Sequence, residues 1–224
     1  MKLNAFKATL AALALMASGT AAADFGVGVK AGTLGLGLEA RWDPPVPWFD
    51  IRLGVNQFDY DDASEYAGVA YDATLALDSY YLTGNIKFPA SPFRLTLGAF
   101  SNGNELQMLS ADTGGLDLVI GGTPFPVAAV GALQSTTSFD STAPYAGVGF
   151  DFELFGKAGL NLDFGVLWQG EPSVNLSATN WENLSAPEQA ILGPALAAEQ
   201  DQLQSEISDY KAWPVISLAF VYNF

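Results

Sequence analysis

The residues of this chain with the clearest chemical capacity are carboxylates and arginines that stand two positions apart. Asp50 and Arg52 form one such pair, and Asp151 and Glu153 form another. A spacing of two places both side chains on the same face of a β-strand. Paired carboxylates can serve as a general acid and a general base, whereas an arginine beside a carboxylate forms an ion pair. The spacing therefore predicts strands with one charged face.

Two residue types that the chain lacks exclude several kinds of catalytic and metal site. The chain contains no histidine and no cysteine, so the commonest general base, the commonest metal ligand and every thiolate site are excluded. Asp151 and Glu153 alone define no catalytic site. We therefore predict that the chain is not an enzyme and needs no cofactor. It is expected to have no catalytic, cofactor-binding or metal-binding residues. The sequence assigns no residues that bind another ligand.

The charge of the chain excludes one class of partner. The formal net charge is −15, whereas nucleic-acid binding depends on lysine and arginine contacts with phosphates. Nucleic acid is therefore not an expected partner.

The first 23 residues have the pattern of a secretory signal peptide. Lys2 and Lys7 give a positive start, an apolar run covers residues 8–17, and three alanines at 21–23 precede Asp24. About 20 apolar residues are needed to cross a bilayer as a helix, and this run is shorter. We predict a signal peptide over residues 1–23 and one domain over residues 24–224.

The last ten residues alternate strictly between large apolar residues and small or polar residues. A period of two gives a strand with one apolar face. The same alternation runs through residues 49–56, 93–100, 145–154 and 160–169. Four tryptophans fall near the ends of these strands, as an interfacial aromatic girdle requires: Trp42, Trp48, Trp168 and Trp213.

The connections between the predicted strands alternate in length. The short ones are residues 43–47, 89–92 and 155–157, and the long ones are roughly 59–72, 108–139 and 176–208. Membrane β-barrels pair short periplasmic turns with long extracellular loops in this way, whereas a soluble β-sandwich, the alternative fold, has no reason to do so.

Two irregularities affect the strand count and register. Parity switches at Gly32–Thr33, where a hairpin would give eight strands and a bulge seven; membrane barrels favour even numbers. A second switch near Asp78–Ser79 predicts a β-bulge. The prediction is an all-β fold, an eight-stranded antiparallel transmembrane β-barrel with both termini in the periplasm.

One helix is expected in the third long loop. Ser185 and Glu188 match a capping box. Gly193–Pro194 should interrupt the helix, which then resumes from Ala195 to Ile207 and packs on the barrel rim.

The inward face of this barrel should carry a polar network. An eight-stranded barrel is nearly filled by its own side chains, so a wide pore is not expected, and buried arginines should bridge carboxylates. The predicted inward residues are Asp50, Arg52, Asn56, Arg94, Asn102, Asp151, Glu153, Asn161 and Asp163.

Together with the closing aromatic Phe224, these features resemble small bacterial outer-membrane barrels. Residues 32–38, 144–149 and 214–218 look like an uncharacterised proteobacterial barrel family, and the whole chain after Asp24 is similar to the OmpA transmembrane domain and to OmpW-like barrels. The resemblance implies an exported monomer in the cell outer membrane, in contact with lipid and lipopolysaccharide, whose last strand is recognised by the barrel-assembly machinery. Outer-membrane lipases, deacylases and proteases with barrel folds rely on a histidine, which is missing here.

Two functions are compatible with these patterns. The first is a non-enzymatic structural or surface-interaction barrel, indicated by a charged, filled lumen and acidic loops. The alternative, which the OmpW resemblance suggests, is a narrow conduit for small hydrophobic molecules. Its entrance would be lined by apolar residues of the second long loop: Leu116, Leu118, Val119, Ile120, Phe125 and Val127.

Overall fold

The computed structural model of the chain describes residues 24–66, 69–110 and 117–224. The predicted signal peptide, residues 1–23, lies outside the described residues.

The described residues form mainly antiparallel strands. The strands are β1 (Asp24–Gly32), β2 (Gly35–Asp43), β3 (Phe49–Tyr66), β4 (Val69–Lys87), β5 (Phe93–Asn102), β6 (Glu105–Ser110), β7 (Leu118–Ile120), β8 (Thr123–Phe125), β9 (Leu133–Ser138), β10 (Thr142–Phe155), β11 (Ala158–Trp168), β12 (Ser173–Ala178) and β13 (Ala212–Asn223). The helices are α1 (Val127–Val130), a 3-10 turn (Trp181–Asn183) and α2 (Ala186–Ile207).

Within this described part, eight strands close a barrel in the order β1–β2–β3–β4–β5–β10–β11–β13, as predicted. Closure comes from β1 and β13, which pair from Gly26 with Asn223 to Gly32 with Ser217. Because every strand of a closed barrel has two neighbours, its backbone donors and acceptors are paired even where lipid surrounds it.

The parity switch at Gly32–Thr33 is a hairpin, as predicted. Gly32 pairs with Gly35 across a two-residue turn, and Gly35 has a φ of 89°, a conformation that glycine adopts without steric cost. The N–H of Phe224 donates to the carbonyl of Phe25 at 2.8 Å. Both ends of the barrel domain therefore lie at the end that carries the three short connections, called the turn end below; the opposite end is the loop end.

The two faces of the strands differ as the alternation predicted. Leu36, Leu82 and Leu97 face outward and are more than half exposed, whereas Arg52 and Arg94 face inward and are buried. The outer surface is therefore an apolar band, and the polar side chains are enclosed.

The β-bulge predicted at Asp78–Ser79 is absent, because β3 and β4 pair without a register shift from Phe49–Ile86 to Tyr66–Val69. The neighbouring strand is interrupted between β5 and β6, but β4 pairs with both in one register, and the Gly103 N–H donates to the Asp78 carbonyl at 2.8 Å. Apolar residues change parity in β4 because the interior is apolar near the loop end and polar nearer the turn end. Leu77 is therefore buried inside the barrel, whereas Leu82 faces outward.

The three long connections predicted as loops contain strands, and the third is mostly the helix α2. In the first connection, residues 59–66 of β3 pair with residues 69–76 of β4. The second and third connections contribute β6, β9 and β12, which extend one side of the barrel as a sheet ordered β12–β9–β6–β4–β3. The sequence patterns missed these strands because strands beyond the apolar band need no lipid-facing side chains, so their alternation is weak.

Helix α2 covers the free edge of this extension. The backbone N–H groups of Val174 and Leu176 in β12 donate to the side-chain oxygens of Gln204 (3.0 Å) and Gln200 (3.1 Å). An exposed strand edge invites pairing with another chain, and here the helix occupies it.

The capping box of α2 is confirmed, since the Ser185 N–H donates to Glu188 Oε2 at 2.8 Å. The predicted interruption at Gly193–Pro194 is wrong, because α2 runs unbroken to Ile207. Gly193 has no Cβ to clash with the proline ring, and Leu192 and Leu196, on either side of Pro194, are buried in one apolar cluster. Among the described residues, no helix is long and apolar enough to cross a membrane.

Candidate functional site

The barrel lumen contains a network of ion pairs centred on two arginines. Arg52 contacts Asp50 at 3.0 Å and Glu39 at 3.5 Å. Arg94 contacts Asp163 and donates to Thr96 at 2.7 Å. Both guanidinium groups are almost fully buried, and a buried charge is tolerated only when it is paired and hydrogen-bonded.

Asp151 joins the two arginines. Its Oδ2 accepts from Arg52 Nη2 at 2.9 Å, and its Oδ1 accepts from Arg94 Nε at 2.9 Å. One carboxylate therefore holds two guanidinium groups that would otherwise repel each other.

The network continues towards the loop end through Glu39. Its Oε2 accepts from the Tyr81 hydroxyl at 2.6 Å, and Lys30 lies 3.8 Å from the same atom. Lys30 also lies 3.5 Å from Asp163. At the turn end, Lys87 contacts both Asp43 and Asp50. Cations and carboxylates thus alternate along the lumen.

Most of the predicted inward residues belong to this network or border it. Glu153 is exposed at the turn end, where it lines an opening together with Lys87, Asp151 and Asn161. The sequence reading missed Glu39 and Lys30, although their parity, opposite to the outward Leu36 and Val29, indicates the lumen.

A layer of aromatic and apolar side chains closes the lumen on the loop-end side of the network. Tyr81 stacks on Phe100 with ring centroids 4.9 Å apart, and Phe100 contacts Tyr145 at 5.3 Å. Leu34, Leu167 and Val215 complete this layer. The void left between the aromatic layer and the charged network is about 10 Å³, about the space of one water molecule.

Two paired glycines make room for one ring of this layer. Gly147 and Gly165 are opposite each other in β10 and β11, and a Cβ on either would lie within 3 Å of the Tyr145 side chain. The Tyr145 ring occupies the space that these residues leave free.

A second feature, an apolar cavity of about 500 Å³, lies beyond the aromatic layer at the loop end. Its walls are the strand extension, helix α2 and the start of β13. Apolar side chains from all three walls face it: Leu106, Met108, Leu133, Val174, Leu176, Leu203, Ile207 and Trp213.

The lining of this cavity differs from the one predicted for a hydrophobic conduit. Leu118 and Ile120 are instead buried against α2 in a separate cluster, where Phe125 and Val127 also pack. Val119 is exposed, and Leu116 lies outside the described residues. The buried residues pack against the first half of α2, at Leu192 and Leu196, whereas the cavity is lined by Leu203 and Ile207 in its second half.

Trp213 is also placed differently from the prediction. It was expected in an interfacial girdle, but its parity in β13 is that of the inward residues Val215 and Ser217, and it packs on the aromatic layer. Trp42, Trp48 and Trp168 are exposed on the outer surface. The odd position of Trp213 in β13, which it shares with Val215 and Ser217, was the signal in the sequence that its side chain faces inward.

In the described part of the chain, no group of three or more acidic, cysteine or histidine side chains is arranged to hold a metal ion. The carboxylates of the lumen instead face arginines and lysines.

Comparison with protein-family models found no match, and comparison with curated proteins found none. Solved structures do match. CarO2 of Acinetobacter baumannii has a TM-score of 0.59 at 20% identity, covering 90% of this chain and 98% of that one. CarO of the same organism has a TM-score of 0.54 at 20% identity, with 89% and 97% covered.

A third match is a major outer membrane protein from Thermus thermophilus, with a TM-score of 0.52, 16% identity and coverage of 91% and 100%. At these identities the likeness concerns the fold. The chain has the fold of a small outer-membrane β-barrel.

Proposed function

We propose that this chain is a non-enzymatic, non-conducting barrel of the cell outer membrane with a structural or surface-interaction role. The observation that carries the proposal is the filled lumen. A solute path would have to pass both the aromatic layer and the ion-paired network, and the space between them is about 10 Å³.

The charge distribution supports a role at the loop end. Residues 59–78, 103–142 and 169–211 contain many carboxylates and one basic residue, Lys211, which lies 3.2 Å from Glu171. The turn end holds both ends of the barrel domain. With the turn end in the periplasm, as barrels of this type are oriented, the acidic end faces the medium and its field favours cationic partners.

A barrel in the outer membrane is also expected to contact lipid and the barrel-assembly machinery. The apolar band formed by residues such as Leu53, Leu97 and Phe220 suits contact with lipid acyl chains, including those of lipopolysaccharide. The strand β13, ending in exposed aromatic side chains, suits recognition by the barrel-assembly machinery. The barrel closes on itself through β1 and β13, so it is proposed to act as a monomer.

Two measurements test the proposal. On SDS gels, the unboiled protein from an outer-membrane fraction should run as a compact band that shifts on heating. In planar lipid bilayers, the purified protein should show no channel events above the lipid baseline. Recovery in the soluble periplasm without a heat shift, or regular conductance steps from the wild-type protein, would overturn it.

A matched pair of variants makes a negative conductance result informative. Tyr81→Ala and Phe100→Ala combined with Arg94→Ala remove the stacked rings and one arginine of the ion-paired network, and should raise conductance because both barriers are then weakened. Leu82→Ala with Leu97→Ala changes two outward residues on the same strands and should leave conductance at the baseline.

The alternative, a conduit for small hydrophobic molecules through the barrel, agrees less well with this lumen. A hydrophobic solute would have to cross a network containing Arg52, Arg94 and their carboxylates, which disfavours apolar groups. The apolar cavity ends at the aromatic layer and supports binding more than passage.

A further inference from the structure

The apolar cavity at the loop end has the dimensions of a ligand site. Its volume of about 500 Å³ falls within the range of roughly 300–1,000 Å³ for small-molecule sites. Three separate elements supply its walls: the strand extension through Met108, helix α2 through Leu203, and β13 through Trp213. The hairpin tip is fixed to the same region, since Thr33 Oγ1 donates to the Pro214 carbonyl at 2.8 Å.

Two polar atoms on residues that line this cavity have no partner. Gln169 Oε1 and Trp213 Nε1 are buried and make no hydrogen bond to any described residue. The Gln169 side chain is 2% exposed and its amide nitrogen donates to the Tyr210 carbonyl at 3.5 Å, which leaves the oxygen free. Buried polar atoms are normally paired, so one free acceptor and one free donor on residues that line an apolar cavity are available to a polar group of a ligand.

The charge of the lining limits what that group can be. Among the described residues that line the cavity, none carries a positive charge, and the one carboxylate, Glu199, accepts from the Gly121 N–H at 3.0 Å. An anionic head group would therefore be buried without a counter-ion, which is costly. A cationic head group would meet only neutral partners at Gln169 and Trp213. A neutral group that both donates and accepts, such as a hydroxyl, matches them.

We propose that this cavity binds a neutral amphiphilic molecule, with a hydrocarbon body against α2 and the strand extension and a single hydroxyl paired with Gln169 and Trp213. The site lies outside the closed lumen, so it does not depend on the absence of conductance and adds a ligand to the surface role proposed above.

The test is a competition assay with the purified full-length protein in lipid nanodiscs, with empty nanodiscs subtracted. The fluorescent probe N-phenyl-1-naphthylamine is bound first and then displaced by 1-decanol, decanoate or decylamine. We expect saturable binding at one site per chain and displacement by 1-decanol at concentrations about tenfold below those of the two charged ligands. The absence of saturable binding, or equal displacement by all three ligands, overturns the proposal.

Variants locate the binding in the cavity. Leu203→Trp should fill it and abolish probe binding, whereas Ile191→Trp, on an exposed position of the same helix, should leave binding unchanged. Met108→Trp fills the cavity from the opposite wall and serves if Leu203→Trp fails to give the heat-modifiable band. Unchanged binding in a folded cavity-filling variant places the probe elsewhere and overturns the proposal.

Removing the unpaired atoms tests the role of the hydroxyl. Gln169→Leu and Trp213→Phe should weaken displacement by 1-decanol while leaving that by decane nearly unchanged. A merely structural role of these residues would affect both ligands alike, and that result would overturn the assignment of Gln169 and Trp213.

Discussion

Arg52 and Asp151, 99 residues apart in the sequence, meet inside the barrel with Arg52 Nη2 at 2.9 Å from Asp151 Oδ2. Arg52 belongs to β3 and Asp151 to β10, strands that are not neighbours in the sheet. The contact therefore crosses the lumen and joins the two halves of the barrel. A pair in this position fixes the cross-section of the barrel and occupies its interior at once.

Asp151→Ala should destabilise the barrel strongly, because it leaves Arg52 and Arg94 facing each other without the carboxylate between them. Breaking a buried ion pair from one side costs roughly 3 kcal/mol or more. The measurement is the free energy of unfolding in urea, with the protein in lipid vesicles. Glu153→Ala is the matched control: it removes an exposed carboxylate two residues further along the same strand and should change stability by less than about 0.5 kcal/mol. Equal effects of the two substitutions would contradict the bridging role of Asp151.

Gly165→Ala should destabilise the barrel because its Cβ would lie 2.6 Å from ring atoms of Tyr145. Overpacking of this kind costs about 1–3 kcal/mol, measured by the same urea unfolding. In Gly84→Ala the new Cβ meets the Phe49 ring at 3.4 Å, so this control should cost much less. Tyr145→Ala in the Gly165→Ala background should cost less than the sum of the two single changes, since the clash is then gone. Strict additivity would rule out the clash as the cause.

The start of helix α2 should lose protection from hydrogen exchange as the pH falls. Hydrogen bonds from the Ser185 hydroxyl and backbone N–H lower the pKa of Glu188 below its usual value of 4.5. A carboxylate with a lowered pKa stabilises the folded form above its usual pKa, and this contribution is lost as the pH falls through the lowered value. The protection factors of the backbone amides of residues 188–190, corrected for the intrinsic pH dependence of exchange, should therefore fall below about pH 4.5. Ser185→Ala should raise exchange at neutral pH and flatten this pH dependence; an unchanged profile would contradict the capping role of the pair.

Deleting Phe224 should lower the amount of folded protein in the outer membrane severalfold while having little effect on refolding into lipid vesicles. The Phe224 side chain is half exposed and contacts Tyr222 edge-on at 5.4 Å, so the folded barrel gains little from it. Heat-modifiable protein is quantified in both settings, with Phe152→Ala as a control that removes another exposed aromatic ring. Equal losses in cells for the two variants would argue against recognition of the last residue by the assembly machinery.

The sequence by itself determined the barrel and its two faces. Alternation such as that of Ile216, Leu218 and Phe220 shows the strand period directly, because lipid on one side and a polar interior on the other impose opposite requirements on successive residues. The same reasoning placed Arg52, Arg94 and Asp151 inside, and the even strand number of membrane barrels favoured a hairpin over a bulge at Gly32–Thr33. The alternation is informative only for the part of each strand that lies within the apolar band.

Only the tertiary structure decided which inward residues contact each other and how the chain folds beyond the apolar band. Parity states that Arg52 and Asp151 point into the lumen, but their contact depends on the strand order and stagger of the closed barrel. Beyond the band lipid no longer requires an apolar outer face, so the strands β6, β9 and β12 show little alternation in the sequence. Pro194 predicts a helix break, but packing on both sides of it holds α2 together. The apolar cavity arises where that extension, α2 and β13 meet. Because its lining comes from segments far apart in the sequence, no local pattern could have revealed it.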